Sequence, residues 1–166
     1  MHAPKRLILL RHAKSAWDVP DADHGRPLNP RGRKDAPRVA RALVEKGWRP
    51  DLVLSSDARR ALETWELLGP ELGGRPQVSV LDHLYLAGPH ELTKLVAGVD
   101  TAVRTVLALG HNPGWEDCVA YFSGQATTMK TSSAALLEAR RDRWPELAEP
   151  SSWRLVEVVR AKELRA

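Results

Sequence analysis

The sequence predicts an α/β fold, a three-layer sandwich with a mostly parallel central sheet. Two observations predict it. Short apolar runs of strand length alternate with longer segments whose apolar residues recur at helical spacing, the pattern of strand–helix–strand units. Three of those apolar runs also stop at polar residues, as buried parallel strands do where they reach the ligand-binding edge of a sheet.

The first strand is Leu7-Ile8-Leu9-Leu10, apolar throughout and therefore buried on both faces, and it stops at Arg11-His12. A polar, proline-bearing loop follows from Ser15 to Pro30, long for a connection in a compact domain. Asn29 is placed to cap a helix that begins at Pro30, carries Ala36, Val39, Ala40, Leu43 and Val44 on one face, and stops at Gly47. Asp51-Leu52-Val53-Leu54 is the second strand, ending in Ser55-Ser56-Asp57. The next helix presents Ala58, Ala61, Leu62, Trp65 and Leu68, with Arg60 near its start and Gly69-Pro70 as its expected end. Gln77 to Leu81 alternates as a third strand, and Pro89 opens a helix with Leu92, Leu95, Val96 and Val99 on its buried face. Thr105 to Leu109 is the next buried strand, running into Gly110-His111-Asn112-Pro113-Gly114, and a helix with Trp115, Cys118, Val119 and Phe122 follows. Ala134 to Glu138 and Trp153 to Val159 read as two closing strands. No repeat, low-complexity segment or linker interrupts residues 1–166, which are expected to form one domain.

Composition narrows the function. Hydrophobic residues make up 43% and charged residues 28%, ordinary for a globular protein. The formal net charge of +4 comes from scattered basic residues with no run of five or six, which argues against a nucleic-acid partner and leaves an anionic substrate. The apolar run near the N-terminus is too short for a signal peptide, and no stretch approaches the length of a membrane span. Cys118, the one cysteine, excludes an internal disulfide and reads as core. The expectation is a cytoplasmic protein, a monomer, with no membrane partner.

The polar strand ends carry the chemistry. Parallel strands point one way, so Arg11-His12, Ser55-Ser56 with Arg60, and His111-Asn112 share one edge of the sheet. If those strands are neighbours, two arginines and two histidines meet in one pocket. An arginine fork suits a phosphate better than a lysine point charge. A neutral imidazole can attack phosphorus through a ring nitrogen, and a second, protonated imidazole can stabilise the oxygens in transfer. With that charge supplied by side chains no metal or cofactor is required, and the sequence holds neither a P-loop nor clustered carboxylates for magnesium. No spacing among His2, His24 and His90 resembles a zinc site.

Arg11-His12-Ala13-Lys14-Ser15 resembles the Arg-His-Gly signature of the histidine phosphatase superfamily, with Ala13 in place of the glycine. Ser55 to Thr64 resembles its second motif, with Arg60 rather than Arg59 in the phosphate-binding place. Gly110-His111-Asn112-Pro113 resembles its third. The chain is most similar to the small SixA-type phosphohistidine phosphatases, through Leu9 to Ser15 and the loop Arg26-Pro27-Leu28-Asn29, and the likeness runs from about Lys5 to about Val159. The resemblance implies the histidine-phosphatase (phosphoglycerate-mutase-like) fold and a phosphohistidine intermediate on His12. It implies that Arg11, Arg60 and His111 hold the phosphoryl group, that Arg26 adds a contact, and that Ser15 and Asn112 hydrogen-bond nearby. One departure matters. Many members place a proton-donating glutamate after the third strand, where this chain reads Leu81-Asp82-His83-Leu84-Tyr85. Asp82 or His83 substitutes, or no dedicated acid exists. A labile phosphorus–nitrogen bond needs such an acid less than an alkoxide does. That absence and the lack of room for a cap domain favour phosphohistidine in a protein as the substrate. A small phosphorylated metabolite, or phosphate-dependent binding without catalysis, are the alternatives.

Overall fold

The computed structural model describes residues 3–164. Strands and helices alternate as β1 (Arg6–Arg11), α1 (Pro30–Glu45), β2 (Leu52–Ser56), α2 (Arg59–Leu72), β3 (Gln77–Leu81), α3 (Pro89–Ala97), β4 (Thr105–Gly110) and α4 (Gly114–Ser123). The chain then closes with β5 (Ser133–Ala139) and β6 (Trp153–Arg160). The sheet order is β3-β2-β4-β1-β5-β6. The four strands β1 to β4 are mutually parallel, whereas β5 runs antiparallel to β1 and β6 antiparallel to β5.

The continuous apolar run of β1 is explained by its central place. Leu7 and Leu9 face a core shared with Leu92 and Val96 of α3 and with Trp115, Val119 and Phe122 of α4. Ile8 and Leu10 face the opposite core, with Val39, Ala40 and Leu43 of α1 and Ala61, Leu68 and Leu72 of α2. Helices therefore cover both faces of the sheet, giving the three layers. Cys118 lies fully buried in the first of these cores.

The α1 boundaries follow from local chemistry. The Asn29 side chain accepts from the Gly32 N–H at 2.8 Å, Pro30 fills a position that needs no donor, and Gly47 takes a left-handed φ of 79° just past the end. The end of α2 differs from expectation. Gly69-Pro70 does not stop it; the helix continues to Leu72, and Gly73, with φ 69°, ends it instead. The extra turn brings Leu72 into full burial beside Leu68. Completely burying a leucine contributes about 1.5–3 kcal/mol, comparable with the cost of one interior proline.

The long loop after β1 is tied back to itself. Asn29 N–H donates to the Lys14 carbonyl at 2.9 Å, Ala16 N–H donates to the Pro27 carbonyl at 2.8 Å, and Ser15 and Leu28 form an antiparallel bridge. The first turn of α1 lies so close to this clip that a Cβ on Gly32 would collide with the Lys14 backbone. Gly32→Ala is therefore expected to destabilise the protein by about 1–3 kcal/mol, as overpacking of a tight contact does. Chemical denaturation of the variant and wild type checks this.

Candidate active site

The carboxyl ends of β2, β4 and β1 are neighbours in the sheet, so the condition set by the sequence is met. β5 runs the other way, and its amino end joins the same edge, bringing the segment before Ser133 beside the strand ends. Arg11, His12, Ser15, Arg26, Arg60, His111 and Asn112 all line one cavity of about 400 Å³ at that edge.

His12 is the most constrained of them. Its backbone N–H donates to the Gly110 carbonyl at 3.1 Å, and its carbonyl accepts from the Ser132 N–H at 3.0 Å. Its Nδ1 lies 2.7 Å from the Ala13 carbonyl oxygen. A carbonyl only accepts, so Nδ1 carries the proton and Nε2 keeps its lone pair. The Arg60 Nε–H donates to that Nε2 at 3.3 Å. Thr64, one turn beyond Arg60, joins the two elements: its Oγ1 accepts from the Ala13 N–H at 3.0 Å and donates to the Arg60 carbonyl at 2.7 Å.

The His111 ring lies 5.1 Å from the His12 ring, centroid to centroid. Its Nε2 is 2.8 Å from Ser56 Oγ, which itself accepts from the Ala58 N–H at 3.1 Å. The His111 Nδ1 is buried with no hydrogen-bond partner among the described residues, as are Arg11 Nε and Asn112 Oδ1. Arg11 and Asn112 share an anchor, both donating to the Met129 carbonyl, at 2.9 and 2.8 Å. These neighbouring residues thus combine fixed side chains with unpaired polar atoms, and buried polar groups seek partners.

The remaining residues form a lock around Asp23. Its carboxylate accepts from Arg26 Nη2 at 3.0 Å, from Arg60 Nη2 at 3.2 Å and from the Tyr85 hydroxyl, while its carbonyl accepts from Arg60 Nη1 at 2.6 Å. Arg26 also donates to Ser15 Oγ at 2.6 Å and stacks on the Trp17 ring at 3.6 Å. Ser15 therefore braces Arg26 in this arrangement. Neither Asp23 nor Tyr85 was singled out from the sequence. An acid three residues before the loop arginine was the available signal for the first. Asp82 and His83 do not line the cavity. They lie on a 3-10 turn with their side chains 89% and 53% exposed, 3.7 Å from each other.

Residues 7–85 match the model of the histidine phosphatase superfamily, branch 1. An uncharacterised chloroplastic protein of Arabidopsis thaliana is 37% identical over 168 residues, covering 93% of this chain and 77% of its own. A crystal structure named as a candidate phosphohistidine phosphatase SixA, from Agrobacterium tumefaciens, is 30% identical. It superposes with a TM-score of 0.81 over 96% of this chain and 99% of its own. A second so named, from Nakamurella multipartitia, is 26% identical with a TM-score of 0.83 over 96% and 97%. The chain belongs to the histidine phosphatase superfamily.

Electrostatics sets what this superfamily site can do here. Burial, with the nearby His111, Arg60 and Arg11, pushes the His12 pKa down to about 3. Burial and Arg60 push His111 down to about 4, against the opposing pull of Asp23. Both imidazoles are thus neutral at neutral pH. His111 offers a neutral N–H or gains its proton when an anion arrives. Asp23 is held well below the usual carboxylate range, first by the Tyr85 hydroxyl and then by Arg26 and Arg60, and the same contact raises the Tyr85 hydroxyl. The pair is therefore ionised acid and neutral phenol.

A histidine whose folded pKa lies below its unfolded value of 6.5 binds a proton more readily when the chain unfolds. Its contribution to stability is intact above pH 6.5 and is lost as pH falls toward the folded values of about 3 and about 4. Thermal melts from pH 8 to 4 are expected to fall most steeply below 6.5. His12→Asn should flatten that fall, and an unchanged slope in the variant would refute the assignment.

Proposed function

We propose that this chain removes the phosphoryl group from phosphohistidine in a protein, as a metal-independent phosphatase working through phospho-His12. The observation that carries the reading is the neutral, buried His12 with its Nε2 lone pair turned toward Arg60. In this reaction Nε2 attacks phosphorus as the phosphorus–nitrogen bond of the substrate breaks, and the leaving imidazole takes a proton from solvent. Arg11 and Arg60 hold the equatorial oxygens, His111 Nδ1 adds a third donor, and Asn112 helps orient the group. Arg26, braced by Ser15, closes the loop side of the pocket. Water then attacks phospho-His12 and releases inorganic phosphate. Arg11 and Arg60 supply the positive charge and His111 and Asn112 supply neutral donors, so the step calls for no metal or other cofactor.

Three features favour a protein substrate. No glutamate stands between Leu81 and Tyr85 to protonate an alkoxide leaving group, and the exposed Asp82 and His83 do not line the cavity. The cavity mouth carries Trp17 and Leu86, 77% and 59% exposed, an apolar rim suited to a protein surface. The two structures named SixA resemble this chain over nearly its whole length. Among the described residues no helix is long and apolar enough to cross a membrane.

The test is hydrolysis of a phosphohistidine-bearing protein and of a simple aryl phosphate, with chelator present. Wild type is expected to prefer phosphohistidine, and His12→Ala to lose at least about a thousandfold in kcat/KM. Full activity in His12→Ala would overturn the mechanism. A strong preference for small phosphate esters would move the substrate to a phosphorylated metabolite, and hydrolysis of neither would leave a phosphate-dependent binding protein.

A further inference from the structure

The sheet edge that carries the site also carries a second cavity, of about 260 Å³. It forms where the start of α1 meets the start of β5 and the end of β6, whose Ser133 and Arg160 are paired across the ladder. Among the described residues, Lys14, Arg31, Lys130, Arg160 and Lys162 bring five cations to it, against the carboxylate of Asp35. That carboxylate is shared between Arg31 at 3.9 Å and Arg38 at 3.8 Å. Among the described residues Arg160 donates to neutral groups, Thr127 Oγ1 at 3.3 Å and the Thr128 carbonyl at 3.0 Å. Ser133 also lines the cavity; it is fully buried, and its hydroxyl has no hydrogen-bond partner among the described residues.

Two facts link this cavity to catalysis. Lys14 and Thr131 line both cavities, so the two are contiguous. Its cations also differ in kind from those at His12. Arg60 is buried, a fork fixed for phosphate, whereas Lys14, Arg31, Lys130 and Lys162 are exposed. Exposed charges, three of these four on lysines, around an open hollow fit carboxylates presented by a protein face, which set register and encounter rate.

We propose that this cavity is a second anion subsite, which holds an acidic side chain of the substrate protein while His12 takes its phosphoryl group. The proposal rests on the phosphohistidine-protein reading above. It makes the lysines beside the site a determinant of which phosphohistidine proteins are accepted.

The test compares two phosphohistidine peptides, one with glutamates flanking the phosphohistidine and one with glutamines there. Wild type is expected to show a KM about fivefold lower for the glutamate peptide. The double variant Lys130→Gln/Lys162→Gln should abolish that preference, with kcat and aryl phosphate hydrolysis unchanged. No preference in wild type, or an equal preference in the variant, would overturn the subsite while leaving the substrate reading intact. If wild type hydrolyses the aryl phosphate but neither peptide, the substrate reading fails separately. Calorimetric titration with the unphosphorylated glutamate peptide then decides the cavity. Tighter binding to wild type than to the double variant keeps it as a carboxylate subsite, and equal binding overturns it.

Discussion

The hydrogen bond from His12 Nδ1 to the Ala13 carbonyl is the contact on which the site depends. It spends one ring nitrogen on the backbone and leaves the other with a lone pair. Burial reinforces this, because a charged imidazole in that position lacks water and faces two arginines. In the proposed reaction this makes His12 a nucleophile by placement, with no neighbouring base needed to deprotonate it. The buried Thr64 extends the constraint, since its one hydroxyl fixes both the backbone after His12 and the helix turn that carries Arg60.

Topology supplies the other half. Placing β4 between β1 and β2 puts Ser56, His111 and His12 on adjacent strand ends, each one ladder spacing from the next. The reversal of β5 then adds a backbone segment no parallel strand would bring, and the Met129 carbonyl in it anchors both Arg11 and Asn112. A mostly parallel sheet with one reversed strand thus surrounds a single pocket with groups from four strand ends. The same reversal, continued into β6, creates the neighbouring basic cavity. Two hollows of different character share one edge for one geometric reason.

Much of this was legible in the sequence because the information is local. Apolar runs mark buried strands, Asn29-Pro30 marks a helix start, and Arg11, His12, Arg60 and His111 sit at the strand and helix ends where the chain must turn toward the pocket. What escaped is non-local or carried by the backbone. Tyr85 meets Asp23 only because β3 and the loop after β1 fold to one place. The Met129 carbonyl has no sequence signal, since every residue has one. Asp82 and His83 stood at the right strand end, yet the 3-10 turn carries them outward and delivers Tyr85 instead. The end of α2 was misread because burial of Leu72 offsets a proline whose cost is local.

The direct test of the account is the protonation state of His12 in the folded protein, read by nitrogen-15 NMR of the imidazoles. The account predicts a neutral ring at pH 6 with its proton on Nδ1 and an unprotonated Nε2, unchanged until the pH approaches about 3. A His12 that titrates near its ordinary value of 6.5, or that carries its neutral proton on Nε2, would contradict it.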